Sequence, residues 1–289
     1  MKQEKSMNNI WKSIAERWSM HQHPGIPSEE TVSIFRKLIE DEMSKHNIKN
    51  PKVLLHGSTP ELRDMLFELG AEVVIIDKFM QMILGMSELM THKNDKEIII
   101  KADWINPPLE DNYFDFVIGD LTIGNVLKKN LRNYLESIKR VLKRDGYWIT
   151  RIACHTEEFQ DNDFQKIFDE FCKIPVKHQN MSELLSLFTI FFYNSETDMV
   201  SISDLGNWMK QYEISPGIYN HPDSNAKKVL QKMWDTWKPM DKQWQFYSIK
   251  KTREFISGFF DIEDQISPNT AYYHILDELF PIFKCKVKK

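Results

Sequence analysis

Two runs decide the fold class: Lys52-Val53-Leu54-Leu55-His56-Gly57-Ser58-Thr59-Pro60-Glu61 and Ala71-Glu72-Val73-Val74-Ile75-Ile76-Asp77. The first is apolar and stops at a glycine. A helical run through Leu62, Met65, Leu66 and Leu69, closed by Gly70, leads to the second, which is apolar and ends in an acid. Strand, turn, helix, strand is one βαβ unit. The rhythm continues downstream. Residues 79–89 read as a helix, 97–103 as a third strand and 114–120 as a fourth. Residues 131–142 form an amphipathic helix ended by Lys143-Arg144-Asp145-Gly146, and 147–152 a fifth strand. Strands at 260–263 and 280–287 complete seven, the last read as an edge. Near-continuous apolar strands alternating with helices predict an α/β fold with a mostly parallel sheet covered on both faces.

Working outward, residues 8–18 place Ile10, Trp11, Ile14 and Trp18 at helical spacing. The stretch from His21 to Pro27 is rich in breakers. Ser28 then reads as the N-cap of a helix with Glu29 and Glu30 in its first turn. Residues 155–245 interrupt the strand rhythm with helical patterns at 164–171, 182–192, 202–212 and 226–237. The expected organisation is a helical cap over 1–50, a sheet domain over 51–154 and 246–289, and a helical insertion over 155–245 packed across the mouth of the sheet, before the last two strands.

Bulk properties exclude several classes. The chain has 289 residues, 42% hydrophobic and 28% charged, which is ordinary for a soluble globular protein. A net charge of −4 argues against a large nucleic-acid footprint. Cys154, Cys172 and Cys285 are odd in number and widely spaced, which fits reduced thiols better than a disulfide frame or a zinc site. No apolar run is long enough to span a membrane, and the N-terminus lacks the apolar core of a signal peptide. A soluble, cytoplasmic protein is expected.

Ligands of open parallel sheets sit at the carboxyl ends of the strands, near the point where strand order reverses. Four such ends converge here: the Gly57–Glu61 loop, Asp77, Asp103-Trp104 and Gly119-Asp120. Gly57 lets the backbone turn tightly beside a ligand. Asp77, about 20 residues on, stands where an acid accepts hydrogen bonds from ribose hydroxyls. Asp103 can accept from an adenine amino group while Trp104 packs on the purine. A dinucleotide is disfavoured: no glycine follows Gly57 until Gly70, and Glu61 would repel a pyrophosphate at the helix start. A carboxylate there suits a cofactor with an ammonium group and no phosphate.

These residues resemble those of class I S-adenosylmethionine-dependent methyltransferases. More narrowly, Leu55-His56-Gly57-Ser58-Thr59-Pro60-Glu61-Leu62 and Ala102-Asp103-Trp104 are similar to the LGxTPEL first loop and GDW third-strand end of a bacterial branch. Two departures stand out: one glycine in the first loop, and Ala102 where the branch has glycine. The resemblance covers roughly residues 10–152 and implies a Rossmann-like methyltransferase fold and S-adenosylmethionine as cofactor, with S-adenosylhomocysteine as product. It implies that Gly57 lines the methionine part, Asp77 binds ribose, Asp103 and Trp104 hold adenine, and Asp120 lies beside the methionine end. Ser58, Thr59, Glu61, Lys78 and Met82 complete the expected cofactor contacts.

Methyl transfer from a sulfonium is an in-line displacement that needs alignment and exclusion of water, and a base only if the nucleophile must lose a proton. Asp120 and His155 are the candidate catalytic residues, with His21 and His23 as further base candidates. Arg151 can pair with Asp120 or with a substrate carboxylate. His21-x-His23 is read as a loop rather than a metal site, and no metal is expected. Asn106-Pro107-Pro108-Leu109 is similar to the box of methyltransferases that act on nucleobase or glutamine nitrogens, but it precedes the fourth strand and lacks the aromatic residue. The insertion carries many aromatics, among them Phe188, Phe191, Phe192, Trp208, Trp234 and Trp244. Read as a lid, they suit a small, partly apolar or aromatic methyl acceptor. Methylation of a peptide or other macromolecule, and a non-catalytic binding subunit, are the alternatives. The expected partner is a small-molecule acceptor, with no membrane and no nucleic acid; a homodimer is open.

Overall fold

The computed structural model describes Trp18 and residues 21–93, 95–155, 164–191, 193–201, 222–237, 243–269 and 278–288. Apart from Trp18, the expected helices at 8–18 and 202–212 lie outside the described residues. So do Phe192 and Trp208.

Seven strands form one sheet: β1 (Lys52–His56), β2 (Glu72–Asp77), β3 (Ile98–Lys101), β4 (Phe114–Asp120), β5 (Leu142–Arg151), β6 (Phe260–Ile266) and β7 (Ile282–Val287). Their order is β3-β2-β1-β4-β5-β7-β6. β1 to β5 pair in parallel, and β7 runs antiparallel to both its neighbours. Strand 282–287 is therefore not the edge expected from the sequence; β6 is. The physical reason is in the burial. Five of the six residues of β7 are buried, on both faces, while β6 exposes Asp261, Glu263, Asp264 and Gln265. A strand buried on both faces belongs inside a sheet; Lys284 is buried there because Glu42 pairs with it at 2.6 Å.

Alternation along each strand divides the core into two layers. Val53, Leu55, Val73 and Ile75 pack against helices α1 (Glu29–His46), α2 (Pro60–Glu68) and α3 (Met80–Ser87). Leu54, Val74, Ile76 and Val117 pack against α4 (Leu131–Val141), and Phe260 and Cys285 extend that layer to Ile256 of α8 (Ile249–Ser257). Ser28 caps α1 as expected, its Oγ accepting from Thr31 N at 3.0 Å.

The insertion holds α5 (Phe164–Lys173), α6 (Met181–Phe191) and α7 (Ser224–Trp237). Phe168, Phe171, Leu184, Phe188 and Met233 join Met82 and Phe280 in a third apolar cluster. The segment is not wholly helical. Residues 193–194, 199–201 and 243–245 form a small antiparallel sheet, in strands too short for an alternation pattern to register in the sequence. Among the described residues no helix is long and apolar enough to cross a membrane.

Candidate active site

Strand register brings the chemistry together. His56, the last residue of β1, lies opposite Ile76 on one side and Gly119 on the other, so Gly57, Asp77 and Asp120 emerge at one level. Sheet order reverses between β1 and β4, and the two chains diverge to leave a crevice. A cavity of about 220 Å³ fills it. Gly57, Ser58, Thr59, Asp77, Met82, Trp104 and Asp120 line it together.

Gly57 turns with φ +86°, a conformation that side chains rarely adopt, and its N–H donates to Ile76 O at 3.0 Å. Asp77 is buried; Oδ1 accepts from Phe79 N at 2.8 Å. Burial lifts its carboxyl to about 6, against the pull of the Phe79 and Lys78 amides. Trp104 donates its indole N–H to Ile76 O at 2.8 Å and stacks on His56 with the rings 5.8 Å apart.

At the other end of the cavity Asp120 and Arg151, opposite each other on β4 and β5, form a bidentate pair: Nε to Oδ1 at 2.6 Å and Nη2 to Oδ2 at 3.0 Å. Of the two partners the sequence offered Arg151, the structure realises Asp120. Glu61 sits behind Trp18, whose indole donates to Oε1 at 3.1 Å. Burial raises the Glu61 carboxyl, and nearby Asp120 raises it further. Ser58 Oγ, Glu61 Oε2 and Arg151 Nη1 are buried without a hydrogen-bond partner among the described residues. Two carboxylates and one guanidinium leave one excess negative charge and one unpartnered guanidinium nitrogen. An amino-acid zwitterion supplies the counterpart of each, so these residues fit the methionine end of the cofactor the sequence implied.

Besides Glu61, which is buried beside the cavity without lining it, three expected residues lie elsewhere. Asp103 and Lys78 do not line the cavity; they pair with each other at 3.3 Å, both about half exposed, and Asp103 also accepts from Ile105 N at 3.1 Å. His155 does not line it either: its ring packs 4.0 Å from Tyr193 and 5.5 Å from Phe246. His21 does line it. The Asn106–Leu109 stretch is a loop staple, with Arg140 donating to Pro107 O and Leu109 O at 2.9 and 2.7 Å.

Of the far wall, the sequence reading named Trp244 but missed the rest. Ser182, Leu185, Ser186 and Thr189 form one face of α6 along the cavity, joined by Trp244, Gln245 and Phe246. The signal was present: hydroxyl residues at positions i, i+4 and i+7 in an otherwise apolar helix mark a face that meets something other than core. Ser186 and Thr189 donate back to Ser182 O and Leu185 O, which leaves the wall small and weakly polar. Thr122 and His56 were also missed as a pair, because they meet through Tyr134.

Residues 57–150 match the family model described as a methyltransferase domain. The fold is the Rossmann-like methyltransferase fold. A Rhodobacter sphaeroides protein described as a zinc-dependent alcohol dehydrogenase aligns at 14% identity and TM-score 0.61, covering 98% of both chains. Burkholderia thailandensis 1,6-didemethyltoxoflavin-N1-methyltransferase, solved with its substrate and S-adenosylhomocysteine, aligns at 7% identity and TM-score 0.53, covering 100% of this chain and 90% of that one. NodS, an N-methyltransferase from Bradyrhizobium japonicum solved with S-adenosylhomocysteine, aligns at 8% and 0.50, covering 97% and 100%. At these identities the three are similar to this chain in fold and no more. No curated protein sequence matches the chain.

Proposed function

We propose that the protein is an S-adenosylmethionine-dependent methyltransferase acting on an O, N or C atom of a small, partly apolar or aromatic molecule. The observation that carries this reading is the buried Asp77 carboxylate at the end of β2, facing the same cavity as Gly57, Trp104 and Asp120. In this reading Asp77 accepts from both ribose hydroxyls, and Trp104 and Met82 flank the adenine. Ser58, Glu61 and Arg151 take up the amino and carboxylate groups of the methionine end. Bound there, S-adenosylmethionine supplies a methyl group on a sulfonium. The chain's own part is to hold the ligand and shut out water. The methyltransferase-domain match and the zwitterion-ready charge set support the assignment, and the two neighbours solved with S-adenosylhomocysteine agree with it.

The insertion acts as a lid in this reading: α6 and residues 244–246 complete a wall without charged side chains, which suits an uncharged planar acceptor. The dehydrogenase description of one neighbour does not carry over. The first loop here has a single glycine with Glu61 beyond it. Among the described residues no group of three His, Cys, Asp or Glu side chains is placed to hold a metal ion.

Calorimetry with S-adenosylmethionine and S-adenosylhomocysteine tests the proposal, with Asp77→Ala alongside. Micromolar binding by the wild type, weakened on the order of 100-fold by the substitution, is expected for two lost charge-assisted hydrogen bonds. Absence of binding by the wild type would overturn it.

A further inference from the structure

A buried chain of three polar side chains runs along the cavity wall, and its far end, His56, lines the cavity. Thr122 lines the cavity as well. Its Oγ1 meets the Tyr134 hydroxyl at 2.9 Å, and that hydroxyl meets His56 Nδ1 at 3.1 Å. All three residues are almost fully buried. The backbone is shaped to put Thr122 there. Leu121 adopts φ +53°, rare for a branched residue, with its N–H bound to Arg151 O. Gly119 has no Cβ, and one would stand 2.9 Å from both Thr122 Oγ1 and Cγ2. Supporting one hydroxyl with a strained turn and a glycine is more than capping Tyr134 requires.

The chain has a physical consequence. Burial pushes the His56 imidazole down to about 3, so it stays neutral and chooses between two tautomers. With the proton on Nδ1, His56 donates to Tyr134, Tyr134 donates to Thr122, and the Thr122 hydroxyl proton is left for the cavity. With Nδ1 bare, the direction reverses, and Thr122 presents lone pairs. Thr122 is therefore a terminus whose polarity can be set by what it meets, at the cost of a tautomer shift and not of an ionisation. Of the two leading catalytic candidates, Asp120 has both oxygens bound by Arg151 and His155 lies outside the cavity; His21 lines it.

Resting on the methyltransferase reading above, we propose that Thr122 is a positioning residue that accepts a hydrogen bond from the O–H or N–H of the methyl acceptor, backed by Tyr134 and His56. The acceptor class is then an aromatic molecule with a protic nucleophile. A tertiary amine, a thioether or a bare carbon nucleophile has no proton to place there.

Phenol and toluene serve as the probes, titrated into the full chain with and without saturating S-adenosylhomocysteine. Binding and the ring-nitrogen resonances of His56 are read by nuclear magnetic resonance of ¹⁵N-histidine-labelled protein. Phenol should bind about 5- to 10-fold more tightly than toluene, the worth of one neutral hydrogen bond. Phenol, but not toluene, should shift the balance of the two His56 tautomers, read as movement of its two ring-nitrogen signals in opposite directions. Thr122→Val should erase both effects, and Thr122→Ser should keep them. A Tyr134 cap alone predicts neither the preference nor the His56 response. Unmoved His56 signals with phenol, or an unchanged phenol preference in a folded Thr122→Val protein, would overturn the proposal. The titration without S-adenosylhomocysteine scores Thr122 even if that ligand does not bind, an outcome that would sink only the cofactor reading.

Discussion

Asp77 shows how one residue trades stability for binding. Its folded-state carboxyl titrates near 6, above the ordinary 3.8, because burial penalises the charge. The folded protein thus holds the proton more tightly than the unfolded chain. Stability falls as pH rises from about 4 to 6, and the cost stays constant above. Ligand binding runs the other way, since hydroxyl groups donate to the carboxylate. Affinity for S-adenosylhomocysteine should rise about tenfold per unit up to pH 6 and level off above, as calorimetry across pH 5–8 would show. Asp77→Asn should flatten that profile. At pH 7 it should also stabilise the ligand-free protein, on the order of 1–3 kcal/mol in urea unfolding.

At the scale of elements, the loop that carries Gly57 and Ser58 is held by the helix behind it. Arg63, one turn into α2, is buried and forks onto Glu97, with Nε to Oε1 at 3.2 Å and Nη2 to Oε2 at 2.6 Å; Nη1 donates to Ser87 Oγ at 3.0 Å. One guanidinium thereby joins α2, the end of α3 and the approach to β3. Removing it strands a carboxylate that is 4% exposed. Arg63→Ala should cost about 3–5 kcal/mol in denaturant unfolding, whereas breaking a solvent-screened surface pair such as Lys37–Asp41 should leave the midpoint nearly unchanged. The local sequence pattern does not single out Arg63. Its burial follows from the partner it meets across 34 residues of chain.

On the scale of the whole molecule, the question is what keeps the insertion on the sheet domain. Asp198, 1% exposed in the turn between the first two strands of the small insertion sheet, receives Lys128 Nζ and Lys251 Nζ at 2.6 Å each and Tyr193 OH at 2.9 Å. Lys128 follows β4 and Lys251 lies on α8, so one carboxylate ties the insertion to both. Burial alone would raise its carboxyl, but the Lys128, Lys251 and Tyr193 hydrogen bonds outweigh it and hold the group below its ordinary range. The latch therefore stabilises above the ordinary value of 3.8 and is lost as pH falls through the lower folded value. Asp198→Asn should lower stability at pH 7 by about 1–3 kcal/mol, discounted because both lysines are half exposed, and should speed proteolytic cleavage within 155–245. The gap from wild type should close in acid.

Local pattern determined the α/β class, the first five strands, the Ser28 cap and the strand-end positions of Gly57, Asp77 and Asp120, because each follows from periodicity or from a turn residue next in the chain. Trp104 and Met82 line the same cavity as Asp77. Tertiary structure alone decided that Asp103 pairs with Lys78 away from the cavity, that His155 packs behind it and that 282–287 runs inside the sheet. It also decided that α6 supplies the far wall and that Thr122, Tyr134 and His56 join in one chain. These outcomes depend on which side chains meet across distant segments, and a one-dimensional pattern records which face a residue takes but not what stands opposite it.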